Sequence, residues 1–239
     1  MIPADLLKKY RLPEEQAMSA IEVAVARTLT EALRTSLCVK FDGNLGISAF
    51  PVHRKPVEIF PAKISRKLRR YLFHQVELEL QKRQTLLEAA ELKQLRGVNV
   101  TGEISRIAAD GTIHVTLEIA DFFRRLILYG EYPVRGQPPR ERGRYRIGEV
   151  REFQVNKVVP IIARGETARV RIWLSRTAKE LPALLLRERT GIGGIECRRR
   201  VAGEYSDIFT PAWIPKDVIK SVGKELGEHL NVFLEKAQR

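Results

Sequence analysis

The residues of this chain best suited to chemistry are arginines and aromatic rings that alternate between positions 122 and 176. The densest run is PPRERGRYRIGEV, at positions 138–150. Guanidinium groups pair with phosphates and aromatic rings stack on bases, so the combination is typical of surfaces that bind single-stranded nucleic acid. The candidate RNA-binding residues in this stretch are Arg124, Arg125, Tyr129, Tyr132, Arg140, Arg142, Arg144, Tyr145, Arg146, Arg171 and Arg176.

A structural role is the alternative for part of this set. Some of the rings then belong to a hydrophobic core, and some of the arginines pair with Glu131, Glu141 and Glu149. The residue types alone leave both roles open.

The net charge of the chain favours a polyanionic partner. Forty-two Lys and Arg residues against 29 Asp and Glu residues give a formal charge of +13 over 239 residues. Such an excess favours nucleic acid or an anionic membrane surface. No stretch is apolar over the roughly 18 residues that a membrane span needs, and the start MIPADLLKKY lacks a signal-peptide core. We therefore expect no membrane partner and a cytoplasmic location.

Catalytic and metal-binding patterns are missing from the sequence. It contains no GxxxxGK[ST], HExxH or GxSxG motif, and Cys38 and Cys197 are too far apart in sequence to form a CxxC pair. Glu77 and Glu79 lie two positions apart on a predicted helix, so they face different directions. We expect a binding protein that is not an enzyme and has no cofactor, metal or small-molecule substrate.

The first part of the chain predicts two helices around a hairpin. A helical stripe of apolar residues indicates a helix over 13–36, and Asp42-Gly43 predicts a hairpin turn. A longer helix is predicted over 65–95. Its first turns carry a basic cluster that either contacts a nucleic acid or an acidic partner, or is a solvated face: Arg66, Lys67, Arg69 and Arg70.

The pattern changes to β-structure after Gly97. Five runs with period-two alternation occur in about 80 residues, with Asp110-Gly111 as one hairpin turn. Their number and size fit a small closed barrel of the OB type. The remaining residues predict the order α-β-β-α-β. In this part, Gly191–Gly194 spells GxxG but follows a helix, so it is interpreted as a helix C-cap and turn.

The order of these segments resembles the NusA family of bacterial transcription elongation factors over most of the chain. PPRERGRYRIGEV is similar to a segment inside the family's S1 domain, with Gly143-Arg144 as an insertion, and Leu174–Thr177 matches the Leu-Ser-Arg-Thr tract that ends that domain. LRGVNVTGEISRI is similar to the start of the S1 barrel, and LPEEQAMSAIEVAVARTLTEAL resembles the family's first helix.

The resemblance implies an α+β multidomain protein. Residues 1–95 would form an α/β domain that docks on RNA polymerase, 96–177 an S1-type OB-fold barrel, and 178–239 a small truncated KH-like α/β domain. The implied function is to hold nascent single-stranded RNA beside the polymerase and to modulate pausing, termination or antitermination. Arg66, Lys67, Arg69 and Arg70 would then be partner-binding residues.

The chain departs from the family at the KH-like domain. The family has two KH domains, whereas this chain has residues for one, and the loop that should read GxxG is Trp213-Ile214-Pro215-Lys216. Three arginines of the preceding strand could replace that loop in part: Arg198, Arg199 and Arg200. Lys216 and Lys220 are further candidate RNA-binding residues. The alternative function is an S1-type RNA-binding module of translation or RNA decay that does not contact polymerase.

Overall fold

The computed structural model describes residues 9–51, 55–121, 124–163 and 167–235. The backbone of 119–121 and 124–126 is described without its side chains. The chain divides into two compact units, Met1–Glu91 with Pro160–Val170 and Leu92–Val159 with Arg171–Arg239. Within the described ranges, none of the helices combines the length and the apolar character needed to cross a membrane.

Within the described residues, the first unit includes a helix of 20 residues, a helix of 27 residues and a three-stranded antiparallel sheet. Helix α1 spans Glu14–Leu33, and Glu14 and Glu15 lie at its positively polarised start. The sheet has the order β1-β2-β3, and helix α2 follows it. The bounds are Ser36–Phe41 for β1, Leu45–Phe50 for β2, Val57–Glu58 for β3 and Arg66–Leu92 for α2.

The core of the first unit joins one stripe from each helix to the inner face of this sheet. Ile21 and Leu29 of α1 pack with Val76 and Leu80 of α2 and with Ile47 of β2. The backbone N–H of Phe41 donates to the Glu22 carboxylate at 2.9 Å, which fixes β1 against α1. The predicted helices and the hairpin at Asp42-Gly43 are confirmed.

Both helices end earlier than predicted. The first helix stops at Leu33 because Arg34 adopts the left-handed conformation (φ 50°), and the chain then enters β1. The second helix stops at Leu92, after which Lys93–Leu95 tighten into a 3₁₀ turn. The apolar periodicity of the sequence continues past the C-terminal end of each helix, so it could not predict where the helices stop.

Five strands of the second unit close into a barrel with the order β4-β5-β6-β8-β7. Strand β4 pairs antiparallel with β5 and with β7, β5 pairs antiparallel with β6, and β6 and β8 run parallel. The predicted OB-type barrel is confirmed. The bounds are Asn99–Ile107 for β4, Ile113–Asp121 for β5, Arg124–Tyr132 for β6, Val150–Ile161 for β7 and Arg169–Ser175 for β8.

Apolar side chains and two glycines pack the interior of the barrel closely. Its interior is apolar, with Ile104 of β4, Leu117 of β5 and Phe153 of β7 fully buried. A Cβ atom on Gly102 would lie 2.4 Å from Val115 Cγ1, and one on Gly130 would lie 2.6 Å from Leu174 Cδ1. A side chain at either position would force these neighbouring side chains to shift, so glycine fits the packed interior best.

The remaining part of the second unit has the predicted order α-β-β-α-β. The sheet order is β11-β10-β9, with β9 antiparallel and β11 parallel to β10. Gly191 ends the first helix of this module in the left-handed conformation (φ 70°), as the C-cap interpretation predicted. The bounds are Leu181–Thr190 for α3, Glu196–Val201 for β9, Tyr205–Thr210 for β10, Lys216–Leu226 for α4 and His229–Leu234 for β11.

Adding a single methyl group at Gly102 should test how closely the barrel interior is packed. We expect Gly102→Ala to lower the free energy of unfolding by about 1–3 kcal/mol, because the added carbon overpacks the barrel interior. The matched control is Gly193→Ala, where no atom lies within 4 Å of the new Cβ, and its effect should stay within about 0.5 kcal/mol. Urea unfolding measures both, and equal stabilities would contradict the packing argument.

Candidate nucleic-acid interface

The arginine-rich run forms a loop, residues 138–149, that connects a 3₁₀ turn at Val134–Gly136 to β7. We call it the arginine loop. It is fixed at its far end, where the Gly148 N–H donates to the Ile104 carbonyl at 2.8 Å and the Ile104 N–H donates to the Glu149 carbonyl at 2.9 Å. In its middle, the Arg144 N–H donates to the Glu141 carbonyl at 3.0 Å. Gly143 makes this turn possible with a φ of +73°.

Two side chains of the arginine loop point inward. The Tyr145 hydroxyl donates to the Glu141 carboxylate and lies 2.7 Å from the Tyr132 hydroxyl. The Tyr132 and Tyr145 rings meet edge-on with centroids 5.6 Å apart. Burial raises the pKa of both phenols above the usual range. Glu141 and Tyr145 therefore anchor the loop, while Arg142, Arg144 and Arg146 remain exposed on its outside.

Arg176 lies at the centre of the junction between barrel and C-terminal module, with 0% of its surface exposed. Its Nε and Nη2 donate to the two oxygens of Glu141, each at 2.9 Å. Nη1 donates to the Glu152 carbonyl at 2.8 Å and to the Glu225 carboxylate at 3.0 Å, and Nη2 also donates to the Glu225 carbonyl at 2.7 Å. Burial alone would lower the pKa of this guanidinium, but the bonds to Glu141 hold it above its usual value.

A second buried pair lies beside the first. The Arg200 and Glu228 side chains are 2% and 0% exposed and approach to 2.6 Å. Glu228 also accepts from the Gly203 N–H at 2.9 Å and from the Ser206 hydroxyl at 2.7 Å. Arg200 donates to the Arg176 carbonyl at 2.7 Å. The two buried arginines therefore connect the barrel exit to the C-terminal sheet.

Three predicted RNA contacts are wrong because their side chains are buried inside the protein. Tyr132 is 0% exposed, Arg176 is fully buried, and Arg200 is held in its buried pair. Their hydrogen-bonding groups are satisfied inside the protein, so they cannot reach a phosphate or a base. The sequence alone could not separate buried arginines from exposed ones.

Two other predicted residues are half-buried. The Tyr145 ring packs inward, as described, and Arg171 pairs with Glu131 at 3.0 Å. Arg140 differs from them because it forms an ion pair with Glu204, at 3.4 Å, in which both side chains are exposed. The pairing of arginines with Glu131 and Glu141, considered as the alternative, thus occurs at Arg171 and Arg176.

Strands β5 and β6 present an exposed outer face. Tyr129 of β6 is 70% exposed and lies opposite Thr116 of β5. On β8, the neighbouring strand of β6, Trp173 faces outward, and the Arg135 guanidinium lies 4.0 Å from its ring centroid. The second and third strands of OB folds form their usual oligonucleotide-binding face. Sequence reasoning missed Arg135 and Trp173, although alternation places Trp173 on the same face of β8 as Arg171.

Arg124 and Arg125, two of the predicted RNA-binding residues, belong to strand β6. Their backbone pairs with that of Asp121 and Ala120 of β5, respectively. The side chains of both arginines are outside the described part of the structure.

The C-terminal module carries its predicted cations on two elements. Arg198 of β9 lies 4.1 Å from the Phe209 ring centroid, and Arg199 lies 5.5 Å from that of Tyr205. Lys216 and Lys220 are exposed on α4. In the loop before α4, Trp213 is exposed and Ile214 is buried.

The basic cluster of the first unit lies at the start of α2. Arg66, Lys67 and Arg70 are exposed, and Arg69 is half-buried. The Ser65 hydroxyl accepts from the Leu68 N–H at 3.3 Å and caps the helix that carries them. The cluster belongs to a different unit from the arginine loop.

The first unit also holds a cleft of about 600 Å³ that includes His74 and Glu79 in its lining. The Glu79 carboxylate is neutralised by Arg27 at 3.2 Å and by Lys82 at 3.5 Å. Nowhere in the described ranges do three His, Cys, Asp or Glu side chains form a group that could hold a metal ion.

The sequence of this chain matches no protein-family model and no curated protein.

The buried junction should be sensitive to the loss of Arg176. We expect Arg176→Met to lower the free energy of unfolding by about 3–5 kcal/mol, because Glu141 loses its buried partner. Arg140→Met removes an arginine from an exposed pair and should cost at most about 1 kcal/mol. Urea unfolding followed by far-UV circular dichroism gives both values, and a similar cost at the two positions would contradict the proposed importance of burial.

Proposed function

We propose that this chain is an RNA-binding factor that holds single-stranded RNA on its barrel unit and catalyses no reaction. The observation that carries the proposal is the arginine loop. Arg142, Arg144 and Arg146 are exposed on a segment that is fixed by Glu141, Tyr145 and the backbone of β4. A fixed array of guanidinium groups binds phosphates with less loss of conformational entropy than a mobile array.

The outer face of β5 and β6 adds a means of holding bases. The exposed Tyr129 ring offers a stacking surface, and the Arg135–Trp173 pair offers a planar cation beside it. Stacking accepts any base, whereas phosphate contacts contribute affinity without sequence information. The chain should therefore prefer single strands over duplexes and show weak sequence preference.

The proposed setting is transcription, with RNA polymerase as protein partner. Its support is the resemblance of the segment order to the NusA family, together with an OB-type barrel at the position where that family has its S1 domain. The exposed basic residues Arg66, Lys67 and Arg70 are the proposed partner surface. The KH-like nature of the C-terminal module belongs to the same proposal, as does action on pausing, termination or antitermination.

The arginine loop can be tested through the salt dependence of RNA binding. We expect Arg142→Ala combined with Arg146→Ala to weaken binding of a 20-nucleotide single strand. The slope of log K against log salt should become shallower by about 1.4, because each lost phosphate contact on a single strand contributes roughly 0.7. Fluorescence anisotropy between low and physiological salt measures this change.

The matched control for that measurement is Lys40→Ala combined with Lys93→Ala, which removes two exposed positive charges elsewhere. Its slope should stay at the wild-type value. A wild-type slope in the arginine variant would contradict the assignment of the loop as an RNA contact.

The polymerase role requires a separate test. Core RNA polymerase should retain the full chain in a pull-down, and the chain should change pause lifetimes in vitro. Arg66→Ala combined with Arg70→Ala should lose retention while keeping RNA affinity, and the Arg142 and Arg146 variant should show the reverse. If the wild-type chain is not retained and pausing is unaffected, the polymerase role is wrong, and the alternative role in translation or RNA decay remains.

A further inference from the structure

A second basic site lies in the C-terminal module, where a cleft of about 550 Å³ opens beside α4. Lys220 and Lys224 line it from α4, His229 from the start of β11, and Arg140 from the arginine loop. We call it the α4 cleft. Its lining contains no residue of the Trp213–Lys216 loop, but it includes Lys220, which the sequence analysis named as an RNA-binding candidate.

The lining of the α4 cleft has an excess of positive charge. Arg140, Lys220 and Lys224 contribute three positive charges, and Glu204 contributes one negative charge. The only other carboxylate in the lining is Glu228, which is compensated by its buried pair with Arg200. The Lys, Arg and Glu side chains therefore leave the cleft with a net charge of about +2, which favours an anionic ligand.

The two lysines are free to meet such a ligand. Both are exposed, and within the described residues neither lies within 4.0 Å of a carboxylate. They are four positions apart on α4, so they project from the same face with a separation of about 6 Å along the helix axis. This arrangement can present one ammonium group to each of two successive phosphates.

The shape of the cleft depends on a close approach of the chain to α4. A Cβ atom on Gly223 would lie 2.8 Å from the Glu228 carbonyl oxygen, and the Glu228 N–H donates to the Gly223 carbonyl at 2.9 Å. The chain after α4 therefore turns back directly against the helix. This turn brings His229 to the same opening as Lys224.

We propose that the α4 cleft binds the phosphodiester backbone of the RNA strand that the barrel holds. The inference rests on the proposed RNA-binding function and extends it to a second contact. Arg140 joins the two sites, because it belongs to the arginine loop and also lines the cleft. The half-buried Ile219 also lines the cleft and can pack against a ribose.

The test uses the full chain and a 20-nucleotide single strand. We expect Lys220→Gln combined with Lys224→Gln to weaken binding roughly tenfold, as two charged contacts are lost. The slope of log K against log salt should become shallower by about 1.4. Lys220→Arg combined with Lys224→Arg keeps the charges and should retain most of the wild-type affinity. Lys40→Gln combined with Lys93→Gln, outside the cleft, should keep the wild-type slope.

The outcomes separate this inference from the proposed function. If the Lys220 and Lys224 variant binds like the wild type while the Arg142 and Arg146 variant is weakened, the cleft is not an RNA contact and the barrel proposal stands. If the wild-type chain binds no RNA, both are wrong. If adenosine monophosphate binds at the cleft but the RNA slope is insensitive to Lys220 and Lys224, the cleft holds a free nucleotide, which overturns the strand assignment.

Discussion

The burial of Arg176 is the constraint on which the second unit depends. One guanidinium, with no exposed surface, bonds to Glu141 of the arginine loop, to the Glu152 carbonyl of β7 and to Glu225 of α4. Taking such a charge out of water costs several kcal/mol unless its hydrogen bonds are complete. The favourable state therefore requires loop, barrel and C-terminal module to be in place together. The same contacts that stabilise this junction also hold the arginine loop that carries the exposed cations.

The basic residues of this unit divide by chemistry as well as by position. The buried positions are both arginines, Arg176 and Arg200, whose planar fork donates several bonds in fixed directions and so can be satisfied without water. The proposed contacts in the α4 cleft are lysines, Lys220 and Lys224, whose compact ammonium groups stay hydrated at the surface. In the proposed function, the high net charge thus serves in two ways, as internal hydrogen bonding and as a field for a polyanion.

The proposed RNA path combines two kinds of contact on one folded unit. The face of β5 and β6 offers the Tyr129 ring for stacking, whereas the arginine loop and the α4 cleft offer charge for phosphates. Stacking requires unpaired bases, so the proposed combination would select single strands, and neither proposed contact would read base edges. Arg140 belongs to the arginine loop and lines the α4 cleft, so it would link the two proposed phosphate contacts.

The sequence by itself determined the elements of this protein, because periodicity and turn residues act locally. Alternation predicted the five strands of the barrel, and Gly191 and Gly227 marked the ends of α3 and α4, since both positions need a left-handed conformation. The tertiary structure decided which of the predicted RNA contacts are exposed. Arg142 and Arg176 look alike in sequence, but one faces solvent and the other is enclosed by Glu141 and Glu225. Those partners lie 35 and 49 positions from Arg176, so only the closed fold brings them together.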